Sequence, residues 1–408
     1  MSEKNIVLNG NINATKLHNI NINYANDSFL YDENNEEYID LNSGLWNVSL
    51  GYNNGFNRII EKGLSNILNK NLPYLDISSY NHYLYERTAT KILNFVGKGI
   101  FEKVFYTNSG SESLELSLKI ARAISSKKKI VTLNDSYHGT YYGGMALSGI
   151  TKEFVKSHEP DYREIINLDL PITEEKEKEF FEFLMDNRDY IGIICVEPVI
   201  SSGGIKFANS AFYNRLMKFC NENEILTIFD EVATGFYKTK YRFFIDKLEY
   251  SPDILCLSKG INNGVLPTGA VLINEKVYSL LENITAEHFS TQNGNLLCIQ
   301  TIFDSITYYE EHDNDIKKKV ENIESLYYHV NMEFDLSMRI IGLMCAVPVN
   351  KINSLNTIMR KLKDKKILTY CFETGKEQGL IIVPNIYIDI DLLKRIMKFI
   401  AKTVKKYD

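Results

Sequence analysis

The sequence predicts an α/β fold: a large unit whose mostly parallel sheet is covered by helices, and a smaller α+β unit. Three observations predict it. Short apolar runs of strand length alternate with amphipathic stretches through the middle of the chain, the pattern of strands interleaved with helices. No Gly/Ser-rich or Pro-rich linker and no internal repeat interrupts that alternation. After about Asn295 the pattern changes to long helices, two apolar runs and a final Lys-rich helix. The expected division is an N-terminal arm with part of the small domain over 1–45, a large domain over 46–295 and a C-terminal small domain over 296–408.

Taken in order, FLYDENNEEYIDLNSG reads as two short strands around a turn at 33–36, preceded by a loose Asn-rich arm. The strand candidates that follow are KVFYT (103–107), KIVTL (129–133), IGIICVEP (191–198), ILTIFDE (225–231), DILCLS (253–258) and GAVLIN (269–274). Between them, SESLELSLKIARAIS, from Ser111, places Leu114, Leu118 and Ala121 at helical spacing just after a strand and a Gly. ITEEKEKEFFEFLMDN and SAFYNRLMKFCNENE alternate charged with apolar faces and read as covering helices. The last part holds the apolar runs IIGLMCAVPV and GLIIVPNIYI, a helix around 355–363 between them, and the closing helix.

With 408 residues, 44% hydrophobic and 24% charged, the chain has the composition of a folded protein with a sizeable core. Lys and Arg number 46 against 52 Asp and Glu, a net charge of -6, so no basic excess is present for a nucleic-acid partner. No stretch reaches the roughly eighteen apolar residues of a membrane span, and MSEKNIVLNGNINATKL lacks the apolar centre of a signal peptide. Cys195, Cys220, Cys256, Cys298, Cys345 and Cys371 are widely spaced, never in C-x-x-C, mostly inside apolar runs, and read as reduced core thiols. A cytoplasmic setting is expected. The lysine runs at 127–129 and 317–319 read as solvated helix faces.

Ligands in open α/β sheets bind beyond the carboxyl ends of the strands, and two reactive side chains fall there. Asp230 ends ILTIF, and Lys259 follows DILCLS with Gly260 behind it. Low polarity around such a lysine depresses its pKa and makes the amine nucleophilic, as imine formation requires. Taken singly, Asp230 also reads as a helix N-cap and Lys259 as a snorkelling surface residue. A third element, TNSGSES, runs from a strand through a Gly turn into a helix. Its backbone N–H groups with the hydroxyls of Ser109 and Ser111 suit a phosphate; a plain Ser-capped helix is the alternative. A fourth, SYHG, offers Tyr137 as a stacking ring, or simply as a half-buried core tyrosine. Assembled, a phosphate cup, an aromatic platform, an acid for a ring nitrogen and an imine-forming lysine are the needs of pyridoxal 5'-phosphate.

With those residues in view, the sequence resembles the class III (ω-amino) aminotransferases, pyridoxal-phosphate-dependent enzymes of fold type I. The match runs through FLYDENNEEYIDLNSGLWNVSLGY, VFYTNSGSESLELSLKIAR, DSYHGTYYGG, VEPV, IFDEVATGFYKT, LSKGINNGVLPTGAVL and HFSTQNGN. The resemblance implies a homodimer with active sites shared between subunits. It implies that Ser109, Gly110 and Ser111 hold the phosphate and that Tyr137 stacks on the ring with His138 beside it. Asp230 would pair with the pyridine nitrogen, Val232 would pack on the opposite ring face, and Glu197 would lie near the substrate and the cofactor hydroxyl. Lys259 would form the imine and then shuttle the proton. Thr291 would reach the phosphate of the neighbouring subunit, and Trp46, in SGLW, would line the substrate pocket.

One departure bears on substrate. The family often carries an Arg three residues before a Pro-Pro-Leu, which grips an α-carboxylate bidentately; here the segment is GLIIVPNIYI, with Ile381 at that place and Asn385 at the second Pro. An apolar side chain cannot pair with a carboxylate. Lys238 and Lys240 stand where GFGRTG has Arg and Gly, and Leu296 where a Pro usually follows GN. Arg58, Arg163, Arg242 and Arg339 remain as other anion holders or as surface and structural arginines. The expected activity moves an amino group between a primary amine or ω-amino compound and an oxo acid or aldehyde, free or carrier-attached. An aminomutase or racemase of the same fold, and a retired scaffold subunit, are the alternatives.

Overall fold

In the computed structural model, which describes residues 20–408 apart from Asn53, Asn54, Lys98 and Ile352, the chain opens with three short strands. These are β1 (Ile22–Asn26), β2 (Phe29–Asp32) and β3 (Glu37–Asp40). The expected hairpin around 33–36 is β2–β3, its turn closed by Asp32 Oδ1, which accepts from the backbone N–H of Asn34 and of Glu36, both at 2.9 Å. The arm expected ahead of it is in part a strand: β1 pairs antiparallel with β2, and Tyr24 stacks on Tyr31 at 4.5 Å. The remainder of the expected arm, residues 1–19, lies outside the described residues.

The large sheet is built from β4 (Phe101–Thr107), β5 (Lys129–Leu133), β6 (Ile165–Leu168), β7 (Ile191–Val196), β8 (Leu226–Asp230), β9 (Ile254–Leu257) and β10 (Gly269–Asn274), in the order β4-β10-β9-β8-β7-β5-β6. From β9 to β6 every pairing is parallel, whereas β10 runs antiparallel to both β9 and β4. Both faces are covered, which is why the central strands read as unbroken apolar runs. Alternation along them divides two cores. Ile193, Cys195, Ile228 and Cys256 join Leu114 and Leu118 of the helix Gly110–Ile124. Ile194, Val196 and Phe229 join Phe180 of Glu174–Asn187 and Leu216 of Ser210–Glu222. The strand Ile165–Leu168 is the one strand of the large sheet that the sequence reading lacks. It is four residues long, partly exposed, and defined by its parallel register on β5.

Beyond the helices Leu296–Glu311 and Asp313–Phe334 lie β11 (Arg339–Ile341), β12 (Met344–Val349), β13 (Ile367–Leu368), β14 (Tyr370–Glu373) and β15 (Gln378–Ile382). β11, β12, β15 and β14 form one antiparallel sheet in that order, while β13 pairs parallel with β3 and so ties this region to the first strands. The chain closes with the amphipathic helix Ile390–Tyr407, capped by Asp389, whose side chain accepts from Leu392 N at 2.7 Å.

Candidate active site

Four neighbouring strands, β9, β8, β7 and β5, end along one edge of the large sheet and deliver the chemistry. Asp230 is the last residue of β8 and Glu197 the first after β7. Tyr137 and His138 follow β5, and Lys259 follows β9. The strands stop one or two residues before the apolar runs do, because Glu197, Glu231 and Ser258 already belong to the loops.

Asp230 is buried between two donors: His138 Nδ1 is hydrogen-bonded to its Oδ2 at 2.9 Å, and Val232 N donates to Oδ1 at 3.1 Å. His138 is itself buried and fixed by its backbone N–H, which donates to Ser148 Oγ at 2.8 Å. Glu197 accepts from Tyr137 N at 2.9 Å and from Ser201 N at 3.3 Å. Burial pushes its carboxyl up to about 7. Lys259 has φ of 47°, a left-handed conformation that is uncommon for non-glycine residues. Desolvation lowers its amine to about 8, against the opposing attraction of Glu197 and Asp230. The Lys259 Nζ stands 4.4 Å from the Trp46 ring centroid.

Ser109 is extended, with φ of -166°, and caps the helix Gly110–Ile124, its Oγ accepting from Glu112 N at 3.2 Å. Glu112 Oε2 accepts in return from Asn108 N at 3.0 Å. The capping role is therefore real, and it leaves the backbone around Gly110 and Ser111 partly open. The turn is closely packed: a Cβ at Gly110 would come within 2.6 Å of Val232 Cγ1, and one at Gly139 within 2.4 Å of Ser111 Oγ. Ser109–Ser111, Val232 and the Tyr137 loop thus share one small space. Thr291 is not part of it within this chain. Its residue is exposed and its carbonyl accepts from Tyr74 OH at 2.7 Å, while its neighbours bind the Ser109 turn, Ser290 Oγ to Asn108 Nδ2 at 3.2 Å and His288 Nε2 to Glu112 Oε1 at 3.0 Å.

Trp46 is buried, with its indole Nε1 unpartnered, and meets Tyr370 edge to face at 5.8 Å. Tyr370 escaped the sequence reading. Its register partner on β15 is Ile381, and directly opposed residues share a face of an antiparallel sheet, so the position expected to lack an arginine faces the same way as Tyr370. No local pattern around TYCFE announces this. Asp40 and Lys238 were also missed. Lys238 is wholly buried, its amine lowered by burial and by the Lys259 charge to about 7 and donating to Gly235 O at 3.2 Å.

The other arginines are engaged or remote. Arg242 pairs with Asp313 at 2.9 Å, Arg163 pairs with Asp161 at 2.9 Å, and Arg58 is exposed. Arg339 binds Glu377 at 2.8 Å and Gly204 O at 2.6 Å. Glu377 also meets Lys206 at 2.7 Å, and Lys206 meets Asp135 at 2.7 Å, two residues before Tyr137. A cavity of about 760 Å³ adjoins this ionic chain, lined by Phe180, Phe183 and Phe207, and it includes neither Lys259 nor Trp46.

A lysine, a buried carboxylate and a hydroxyl-rich helix start at strand ends along one edge of such a sheet are the parts that a pyridoxal-phosphate-dependent transaminase requires. A transaminase from the marine bacterium Virgibacillus superposes with a TM-score of 0.89 at 21% identity, covering 99% of this chain and 97% of that one. The chain belongs to the class III aminotransferase family, whose model matches residues 11–404 and whose members use pyridoxal 5'-phosphate. Curated relatives include the adenosylmethionine-8-amino-7-oxononanoate aminotransferase of Staphylococcus aureus, 28% identical over 92% of this chain and 90% of that protein. Another is the omega-aminotransferase of Caulobacter vibrioides, 25% identical over 91% and 90%.

Proposed function

We propose that this aminotransferase takes its amino group from a primary amine or ω-amino compound that carries no α-carboxylate, and passes it to an oxo acid or aldehyde. The carrying observation is the Trp46 ring over Lys259, met edge to face by Tyr370, with Ile381 where a carboxylate-binding arginine would stand.

The residues fit pyridoxal phosphate by their donor set and by their crowding. Ser109, Gly110 and Ser111 offer hydroxyl and backbone donors at a helix start to the phosphate. Asp230, anchored by His138, is an acid for the pyridine nitrogen. Tyr137 and Val232 are the two packing faces. When bound, the group supplies an aldehyde that condenses with amines and a ring that takes up electron density from the reacting carbon. Lys259, lowered to about 8, attaches the cofactor through Nζ. Released by the incoming amine, Lys259 Nζ would take the proton from the donor's amine-bearing carbon and deliver it to the cofactor carbon that had held the lysine. Glu197 orients donor and cofactor through its carboxyl, and the buried indole of Trp46 excludes water.

The working unit is a homodimer in the cytoplasm, with Thr291 reaching the partner's phosphate site. Phe289 and Thr291, exposed beside the Ser109 turn, support that reading. Among the described residues no helix is long and apolar enough to cross a membrane, and the six cysteines are free. The described part of 1–45 belongs with 296–408 in the small domain and 46–295 is the large cofactor-binding domain, a division supported by the β3–β13 pairing.

The test is spectroscopic. The visible band of the loaded enzyme should fade on adding an arylalkyl amine and return on adding an oxo acid. A band that answers α-amino acids alone overturns the substrate reading.

A further inference from the structure

Four consecutive residues, Ser43, Gly44, Leu45 and Trp46, have φ of 44°, 55°, 57° and 68°. Glycine takes this conformation freely, but other residues visit it singly and not in runs. A left-handed turn with three non-glycine residues persists only where its surroundings over-determine it.

The surroundings here converge on Asp40, which is 4% exposed. Its Oδ1 accepts from Asn42 N at 2.8 Å, and its Oδ2 accepts from Gly44 N at 2.9 Å and from Tyr52 OH at 2.8 Å. The turn is fastened again where Ser43 Oγ donates to Val383 O at 2.7 Å and Trp46 N donates to Asn42 O at 2.8 Å. What the strained turn achieves is the placement of the indole 4.4 Å from Lys259 Nζ, its own Nε1 left without a partner.

We propose that Asp40 is a positioning residue: its carboxylate holds Ser43–Trp46 in the left-handed turn and thereby seats Trp46 over Lys259. The inference rests on the reading of Trp46 as a wall of the substrate pocket. A carboxylate is required because both of its oxygens meet donors. An asparagine would turn an NH₂ group against either the Asn42 N–H or the Gly44 and Tyr52 donors.

Trp46 is the one tryptophan in the sequence, so its emission reports the turn without reference to turnover. In the full-length enzyme loaded with pyridoxal phosphate, Asp40→Asn should red-shift that emission and make it more accessible to acrylamide. It should also lower kcat/KM for an amine donor by on the order of 10²-fold, the effect of a misplacement near 1 Å. Borohydride-reducible cofactor at Lys259 should remain. Asp253→Asn is the control. That carboxylate is buried and accepts from Thr227 N and Oγ1 at 2.9 and 3.1 Å, so its loss should lower the Tm while leaving Trp46 emission unmoved. Tyr52→Phe removes one of the three donors and should give a smaller shift of the same sign; it decides the matter if Asp40→Asn does not fold. Native emission and quenching in the deciding variant would overturn the proposal. Exposed Trp46 with unchanged donor kinetics would uphold the Asp40 assignment and remove Trp46 from the substrate pocket.

Discussion

On one side of the site, Tyr137, Glu197, Asp230 and Lys259 leave the ends of four adjacent strands, each held by neighbours in its own loop or the next. On the other, Trp46 meets Tyr370 and Asp40 pairs in register with Leu368, both from the far end of the chain, and one fastening hydrogen bond, Ser43 to Val383, spans 340 residues. The first side is made by repeating a single local pattern, strand then reactive loop. The second is made by long-range closure around a strained turn. Chemistry common to a whole family can rest on the former, whereas selectivity is free to vary in the latter, where a change such as arginine to Ile381 leaves the sheet ends untouched.

Breaking the cofactor side should give the largest effects. Lys259→Ala should abolish the borohydride-reducible adduct and cut turnover on the order of 10⁴-fold or more with the fold retained. A persisting adduct would transfer the role to another lysine, and peptide mapping would show whether it is the buried Lys238. Asp230→Asn should still bind cofactor but slow the amine half-reaction about 10²–10³-fold in stopped-flow measurements, through loss of a preorganised charge. An unchanged rate would take Asp230 out of the mechanism. Tyr370→Ala sharpens the comparison: kcat/KM for apolar amines should fall about tenfold, a single aromatic contact, with cofactor attachment unaltered. Loss of cofactor in that variant would mean the two sides are one.

The smallest change is one of conditions. The neutral amine is the nucleophile, and burial moves Lys259 down from the ordinary lysine range to about 8. Cofactor attachment to the apo-protein should accelerate about tenfold per pH unit below that value and level off above it. A rate still climbing at pH 10 would show an unshifted lysine.

The same asymmetry explains what could be read from the sequence. KIVTL and GAVLIN coincide with β5 and β10, and the other strands read in this sheet differ by one or two residues at their ends, because strands buried on both faces write long apolar runs. Asp230 and Lys259 were visible as charges ending such runs. Tyr370 was not, since β14 is mostly exposed and its placement depends on its register with β15. Asp40 was hidden for another reason: nothing in DLNSGLW announces a left-handed turn, because Gly44 is the one residue in it that favours that geometry. β1 was hidden by its exposure, which leaves no alternation to detect. β10 carried a strand pattern, but its reversed direction is a matter of topology that no single run encodes.

The chain of ion pairs from Asp135 through Lys206 and Glu377 to Arg339 has a mechanical consequence. Its far end is anchored in the small antiparallel sheet and its near end in the loop that carries Tyr137. Three partly buried links in series act as a tie-rod, so an outward swing of the sheet bearing Tyr370 would pull on the loop that carries Tyr137. On the proposed function, shortening Trp46 or Tyr370 would favour bulkier amines over the smaller apolar ones that use the Tyr370 ring, while loosening the tie-rod would reach the loop of Tyr137.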